Sequence, residues 1–164
     1  MKYYGNSSLA SLLKIMLSSI LVIGVIMFIY ISKGVIASND LQISTFRKML
    51  IYALFLVGTI SLILIVYNLR KIVHSLVKAN PFIRENVKSL SHISIECFII
   101  TACYLINFFI NPKYTEFNLI TIDMKGIHTD MEFFIFFFAG CFILILSKVF
   151  ERAVEVKEEN DFTI

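Results

Sequence analysis

The residues best suited to chemistry follow one predicted helix face in the middle of the chain. Lys88, His92, Glu96, Cys103 and Asn107 lie at roughly helical spacing. A carboxylate within a membrane is a candidate for handling protons or ions, because burying its charge is costly. His92 and Glu96 are too few ligands for a metal ion, and no His-Glu-x-x-His motif supplies more. We favour a simpler interpretation, in which Glu96 lies at the inner membrane boundary and pairs with Lys88, His92 or a basic residue of a neighbouring helix.

The three cysteines, Cys97, Cys103 and Cys141, all fall within apolar segments and form no Cys-x-x-Cys pair. A redox pair would require Cys103 and Cys141 to meet across two helices, so we expect packing roles instead. The sequence also lacks a phosphate-binding loop, a nucleophile elbow and a partnered carboxylate pair. We therefore expect no enzyme activity, no cofactor and no metal.

The composition indicates that much of the surface faces lipid. Of the 164 residues, 58% are hydrophobic and only 16% are charged, and the mean hydropathy is +0.82. A soluble domain of this size needs more polar surface than so few charges provide. A net charge of +3 is too mild to predict direct binding of nucleic acid.

Four apolar segments are long enough, with their flanks, to cross a bilayer as helices. We predict a single domain over 1–164, an all-α membrane protein with four transmembrane helices in an antiparallel bundle. The first apolar run is longer than a typical signal-peptide core, so we interpret it as a retained anchor. The predicted spans cover about 12–34, 48–69, 93–112 and 131–150.

The distribution of basic residues predicts the orientation. Ten Lys and Arg residues fall in the N-terminal, central and C-terminal segments, against five in the first and third loops. Basic residues mark the cytoplasmic side of membrane proteins. We therefore predict a multi-pass protein of the plasma membrane with both termini in the cytoplasm.

Helical patterning continues past the second span into a predicted cytoplasmic hairpin over about 70–92. Apolar residues on both sides of the turn repeat at helical spacing, which predicts that the two arms pack together. Asn80 is a good N-cap and Pro81 suits the first helical position, so we expect the third helix to start there. The apolar positions are Ile72, Val73, Leu76 and Val77 on one arm and Ile83, Val87 and Leu90 on the other.

The fourth helix is predicted to reach about Glu159, within a cytoplasmic C-terminal segment over 151–164. Its end is acidic, with Glu155, Glu158, Glu159 and Asp161. A helix C-terminus disfavours negative charge, so we expect a basic group nearby, and the basic hairpin is the nearest candidate.

The third loop, from Asn111 to Glu132, permits two interpretations. Its apolar residues and a Lys125-Gly126 turn signal are consistent with a short β-hairpin. An apolar loop resting on the lipid headgroups explains the same pattern equally well.

Two motifs resemble a bacterial membrane family. They are Asn80-Pro81-Phe82 with Glu85-Asn86-Val87, and Val149-Phe150-Glu151-Arg152 with the ending 158–164. Together they resemble domain of unknown function 2975, although members usually show Gly where this chain has Ala153. The resemblance implies a small integral membrane protein, mostly of Gram-positive bacteria, often encoded beside a small helix-turn-helix regulator.

These observations lead to two functional hypotheses. The first is a membrane interaction protein that docks or sequesters a cytoplasmic helix-turn-helix transcriptional regulator. The alternative is a small transporter or an antimicrobial-peptide resistance or immunity protein that uses Glu96 in an oligomeric bundle. Partners are the lipid bilayer and, on the first hypothesis, the regulator; self-association is left open. The predicted partner-binding residues are Asn80, Pro81, Phe82, Glu85, Asn86, Glu158, Glu159 and Asp161.

Overall fold

A computed structural model describes residues 9–37, 45–110, 121–123, 126–128 and 132–161. All four of its helices are long and apolar enough to cross a membrane, which confirms the predicted fold class. The elements are α1 (Leu9–Ala37), α2 (Thr45–Val77), α3 (Arg84–Ile110), β1 (Thr121–Asp123), β2 (Gly126–His128) and α4 (Glu132–Asp161).

The helices are longer than a bilayer core requires. The 33 residues of α2 and the 30 residues of α4 extend ~45–50 Å at 1.5 Å per residue, against a hydrocarbon core of ~30 Å. Charged residues concentrate at the C-terminal ends of α2 and α4 and at the start of α3. The excess length therefore projects at one end of the molecule, which we call the polar end: residues 70–92 and 148–161.

The helices form an antiparallel row in chain order. Each packs against its neighbour in sequence, and among the described helices the backbone of α1 does not come within 8 Å of α3 or α4. Buried side chains are concentrated on α3, at the centre of the packing, and are sparse on α1. The bundle is therefore open, with α1 at one edge and α4 at the other.

Small polar residues are buried on both α2 and α3. Ser61, Asn68 and Ser75 repeat every seven residues on α2, and all three are buried. Ser94 and Thr101, also seven apart, are buried on α3. Such residues allow helix backbones to approach closely in a membrane, and they share the buried centre of the bundle with apolar side chains such as Leu90, Ile93 and Ile100.

The contact between α3 and α4 is also close. The Ser94 hydroxyl is fully buried and donates a hydrogen bond of 3.0 Å to the Gly140 carbonyl. A Cβ atom placed on Gly140 would lie 3.1 Å from the Phe98 ring and 3.2 Å from the Cys97 Cβ. The absence of a side chain at this position sets the distance between the two helices.

The predicted start of α3 at Asn80 and Pro81 is wrong, since the helix begins at Arg84. Ala79 adopts a left-handed φ of 57°, and its N–H donates to the Leu76 carbonyl while the Asn80 N–H donates to the Ser75 carbonyl. These two bonds form a Schellman cap. Asn80 therefore ends α2 instead of capping α3.

The hairpin interpretation of the third loop fits the described strands. β1 and β2 pair antiparallel, with Thr121 opposite His128 and Asp123 opposite Gly126. Lys125 and most of the loop's apolar residues lie outside the described residues.

Candidate functional site

The polar end brings together residues 68 to 77 positions apart in sequence. The α2–α3 turn and the start of α3 contact the last turns of α4 through an ion pair, hydrogen bonds and an aromatic contact. From the sequence we expect only a basic group of the hairpin near the acidic end of α4. The structure shows a specific set of contacts.

Arg84 and Glu158 form a bidentate ion pair. The Arg84 Nε donates to Oε1 at 2.9 Å and Nη2 donates to Oε2 at 2.5 Å. The hydrogen bonds from Arg84 lower the pKa of Glu158, which remains charged at neutral pH. Arg84 is thus the basic group expected near the acidic helix end. Because the side chains are 66% and 40% exposed, the pair contributes little to stability. Its main effect is to fix the orientation of the start of α3 against the end of α4.

Three further contacts join the turn to α4. The Lys157 Nζ donates to the Asn80 side-chain oxygen at 3.0 Å and lies 3.5 Å from the Phe82 carbonyl oxygen. The Phe82 ring packs on the Phe150 ring, with 5.6 Å between centroids. Phe82 remains 43% exposed, so its outer edge is accessible to a partner.

Asn86, predicted to bind a partner, is instead an internal support of the turn. It is 2% exposed, and its amide donates to the Pro81 carbonyl at 2.6 Å and to the Ser75 hydroxyl at 2.5 Å. The Ser75 hydroxyl donates in turn to the Ile72 carbonyl at 2.7 Å. A side chain this deeply buried has no surface to offer a partner, so we reassign Asn86 to a structural role.

The acidic end of α4 is more compensated than its sequence suggests. Glu151 pairs with Lys148 at 2.8 Å, and Glu155 pairs with Arg152 at 2.9 Å, each across one helical turn. The remaining predicted residues, Glu85, Glu159 and Asp161, are exposed. Much of the acidic charge is therefore balanced within this chain.

Glu96 does not form the predicted ion pair. Lys88 and His92 are exposed and Glu96 is half-buried, and within the described part of the chain Glu96 has no ion pair or hydrogen bond. No three His, Cys, Asp or Glu residues in the described segments lie close enough to hold a metal ion. Helical spacing places Lys88, His92 and Glu96 on one face of α3, but it does not bring Glu96 within ion-pair distance of a basic side chain among the described residues.

A cavity of about 420 Å³ lies between α2 and α3, near the end opposite the polar end. Gly58 and Thr59 from α2 and Cys103 and Asn107 from α3 line it together with apolar side chains, and Glu96 does not. All three cysteines are free thiols, with Cys97 buried and Cys103 and Cys141 half-buried. Sequence reasoning missed this cavity, because the spacing of single residues does not show where two helices separate.

Comparison with known proteins identifies a family. No curated protein and no solved structure matches the chain. The family model described as protein of unknown function (DUF2975) matches residues 7–164. With this match over nearly the whole chain, and four membrane-length helices, the chain belongs to the DUF2975 family of integral membrane proteins.

Proposed function

We propose that the protein is a membrane-anchored docking protein whose polar end binds a cytoplasmic partner, a helix-turn-helix transcriptional regulator being the expected one. The observation that supports this most directly is the joining of the α2–α3 turn to α4 through Arg84–Glu158, Lys157–Asn80 and Phe82–Phe150. A surface ordered before binding loses less conformational entropy when a partner docks.

Two exposed carboxylates of this surface, Glu85 and Asp161, would attract basic groups of the partner. Phe82, Glu85 and Asp161 are all exposed at the polar end, so an aromatic ring and two carboxylates are accessible there. Aromatic side chains are common binding hot spots, and complementary charge speeds and orients association. The DNA-binding face of a regulator is basic, so docking here would compete with DNA.

The experiment compares two variants of the full-length protein in native membranes. The test variant carries Phe82→Ala, Glu85→Gln and Asp161→Gln. The control variant carries Phe109→Ala and Glu132→Gln, which change similar side chains at the opposite end of the helices. Affinity purification then identifies co-purifying DNA-binding proteins, and transcript profiling measures regulation.

We expect the test variant to lose the co-purifying regulator and to alter its transcripts, while the control retains both. Equal recovery from both variants, at equal membrane levels and with unchanged transcripts, would contradict docking at the polar end.

The cavity between α2 and α3 supports the alternative of a transport or peptide-resistance protein. It is largely apolar with a polar contribution from Asn107. An ideal Cβ on Gly58 meets nothing within 4 Å, so Gly58→Leu should partly fill the cavity. A loss of resistance to membrane-active peptides in Gly58→Leu, with normal behaviour of the polar-end variant, would favour this second function.

A further inference from the structure

A group of basic side chains lies at the polar end, between α1 and α2. Arg70, His74 and Lys78 form a stripe along α2 at intervals of four residues. Because α1 packs antiparallel to α2, Lys14 near the start of α1 lies at the same end. We call Lys14, Arg70, His74 and Lys78 the basic cluster.

Among the described residues, no acidic side chain pairs with the basic cluster. Lys14, Arg70 and His74 are half-buried, and within the described segments none of the four side chains forms an ion pair. The His74 Nδ1 atom is buried and lacks a hydrogen-bond partner. Glu151, Glu155 and Glu158 of α4 form ion pairs with other basic residues. The backbone of α4 also does not approach α1.

The electrostatic effect is evident at His74. The pKa of His74 is lowered, first by the nearby charge of Lys14, then by burial and by Lys78 and Arg70. These are the charged groups that face His74, one from α1 and two from α2. Cations held together at a partly buried site repel one another, so a bound anion would stabilise the arrangement.

The position of the cluster indicates which anion. Arg70 is the first charged residue after the uncharged run 49–69, so the cluster begins where the predicted span ends. Beside it, the Lys71 ammonium lies 5.6 Å from the centre of the Tyr67 ring, and tyrosine is typical of the membrane interface. Side chains at this depth are level with lipid headgroups.

We propose that the basic cluster binds the phosphate of an anionic phospholipid headgroup, held between α1 and α2. The ammonium of Lys14 and the guanidinium of Arg70 are the principal ligands, since both are half-buried and come from different helices. Lys78 adds charge from the outer side, and His74 contributes a ring N–H. The bound lipid also links α1, the helix with the least buried surface, to α2.

The test is lipid retention by the purified protein, measured by native mass spectrometry with phosphatidylglycerol and, separately, phosphatidylcholine. The test variant is Lys14→Gln with Arg70→Gln. The control, Lys33→Gln with Arg47→Gln, removes two exposed charges near the other membrane surface.

We expect the test variant to bind phosphatidylglycerol about 10-fold more weakly or worse, from the usual attraction of two cations to anionic lipid. The control should bind phosphatidylglycerol within about twofold of the original protein, because Lys33 and Arg47 lie outside the basic cluster. It thereby tests whether losing any two positive charges weakens binding. An equal loss in both variants, or no loss in the test variant, would overturn the proposal. So would a change of oligomeric mass with unchanged lipid retention, which would assign the cluster to contact with a second copy.

A second measurement uses the protein without these variants. In phosphatidylcholine micelles, adding short-chain phosphatidylglycerol should raise the pKa of His74, followed by NMR and assigned through His74→Asn. Inorganic phosphate at the same concentration should have a much smaller effect. An equal effect of phosphate would identify a free-anion site and overturn the lipid assignment, and no effect of either would show that the cluster binds no headgroup.

Discussion

At the scale of single residues, the polar end depends more on a buried amide than on its visible ion pair. Arg84 and Glu158 are largely exposed, where ion pairs contribute little to stability. Asn86 is almost fully buried and bonds to both Pro81 and Ser75. Removing a partner from a buried hydrogen-bond network costs more than removing an exposed charge.

Asn86→Ala should therefore lower the free energy of unfolding by about 1–3 kcal/mol, because it leaves buried polar groups of the turn without their donor. The measurement is the apparent melting temperature in detergent. Glu158→Gln serves as the control and should have a much smaller effect. If Glu158→Gln proves the more damaging change, the polar end is held mainly by charge.

Ala79→Gly should stabilise the protein. Ala79 has a φ of 57°, and the left-handed conformation costs an L-residue about 1 kcal/mol that glycine avoids. We expect a higher melting temperature for this variant. The same change in a right-handed helix, Ala153→Gly in α4, should lower it. A destabilising Ala79→Gly would contradict the Schellman cap.

The charge of Lys14 should be detectable at His74. Lys14 is the largest cause of the lowered pKa of His74, so Lys14→Gln should raise that pKa toward its ordinary value of 6.5. The folded protein disfavours protonated His74. The free energy of unfolding should therefore fall as the pH drops below 6.5, where the unfolded chain binds a proton at His74 more readily than the folded protein does. NMR titration of the imidazole measures the shift. An unchanged pKa would show that α1 does not place Lys14 beside α2.

At the scale of the elements, helix contacts in this protein depend on small side chains. Ser94 and Gly140 bring α3 and α4 together through a buried hydrogen bond, and Ser61, Asn68 and Ser75 form a buried stripe on α2. In a membrane, the interior of the helix bundle and the surrounding lipid are similarly hydrophobic. Close packing and hydrogen bonds therefore determine which helix faces meet.

Gly140→Val should separate α3 from α4 and lower the melting temperature, since even a Cβ there lies 3.1–3.2 Å from Phe98 and Cys97. The overpacking cost is typically 1–3 kcal/mol, so a shift of several degrees is expected. Gly24→Val is the control, because an added Cβ at Gly24 meets nothing within 4 Å. Equal effects of the two changes would contradict the close contact.

At the scale of the whole molecule, the open row of helices leaves α1 and α4 at opposite edges. The basic cluster lies at the α1–α2 edge, while the acidic end of α4 lies at the other. The proposed lipid site and the acidic part of the proposed docking surface therefore lie at different edges of the row.

The orientation prediction belongs to this scale. Tags at Ile164 and near Lys78 should be accessible from the cytoplasm, and a tag near Gly126 from the outside, because basic residues are about twice as frequent on the predicted inner side. Labelling of intact cells with a membrane-impermeant reagent measures this. Labelling at Lys78 but not at Gly126 would show that the orientation is the opposite of the predicted one.

Local patterns predicted the parts of the structure that depend on one segment at a time. Apolar length predicted four spans, and uninterrupted amphipathic spacing predicted that α4 reaches about Glu159, close to the observed Asp161. The start of α3 was misplaced, because Asn80-Pro81 is a good N-terminal signal while the cap at Ala79 uses a residue that rarely adopts a left-handed φ.

By itself, the amino-acid sequence determined that this is a four-span helical membrane protein, because length and hydropathy are sufficient to place helices in lipid. The tertiary structure decided which polar residues are internal and which are accessible. Asn86 and Glu85 are adjacent in sequence, yet one is buried in the turn and the other is exposed. Only the packing of α2, α3 and α4 distinguishes them, since burial depends on segments that are distant along the chain and adjacent in space.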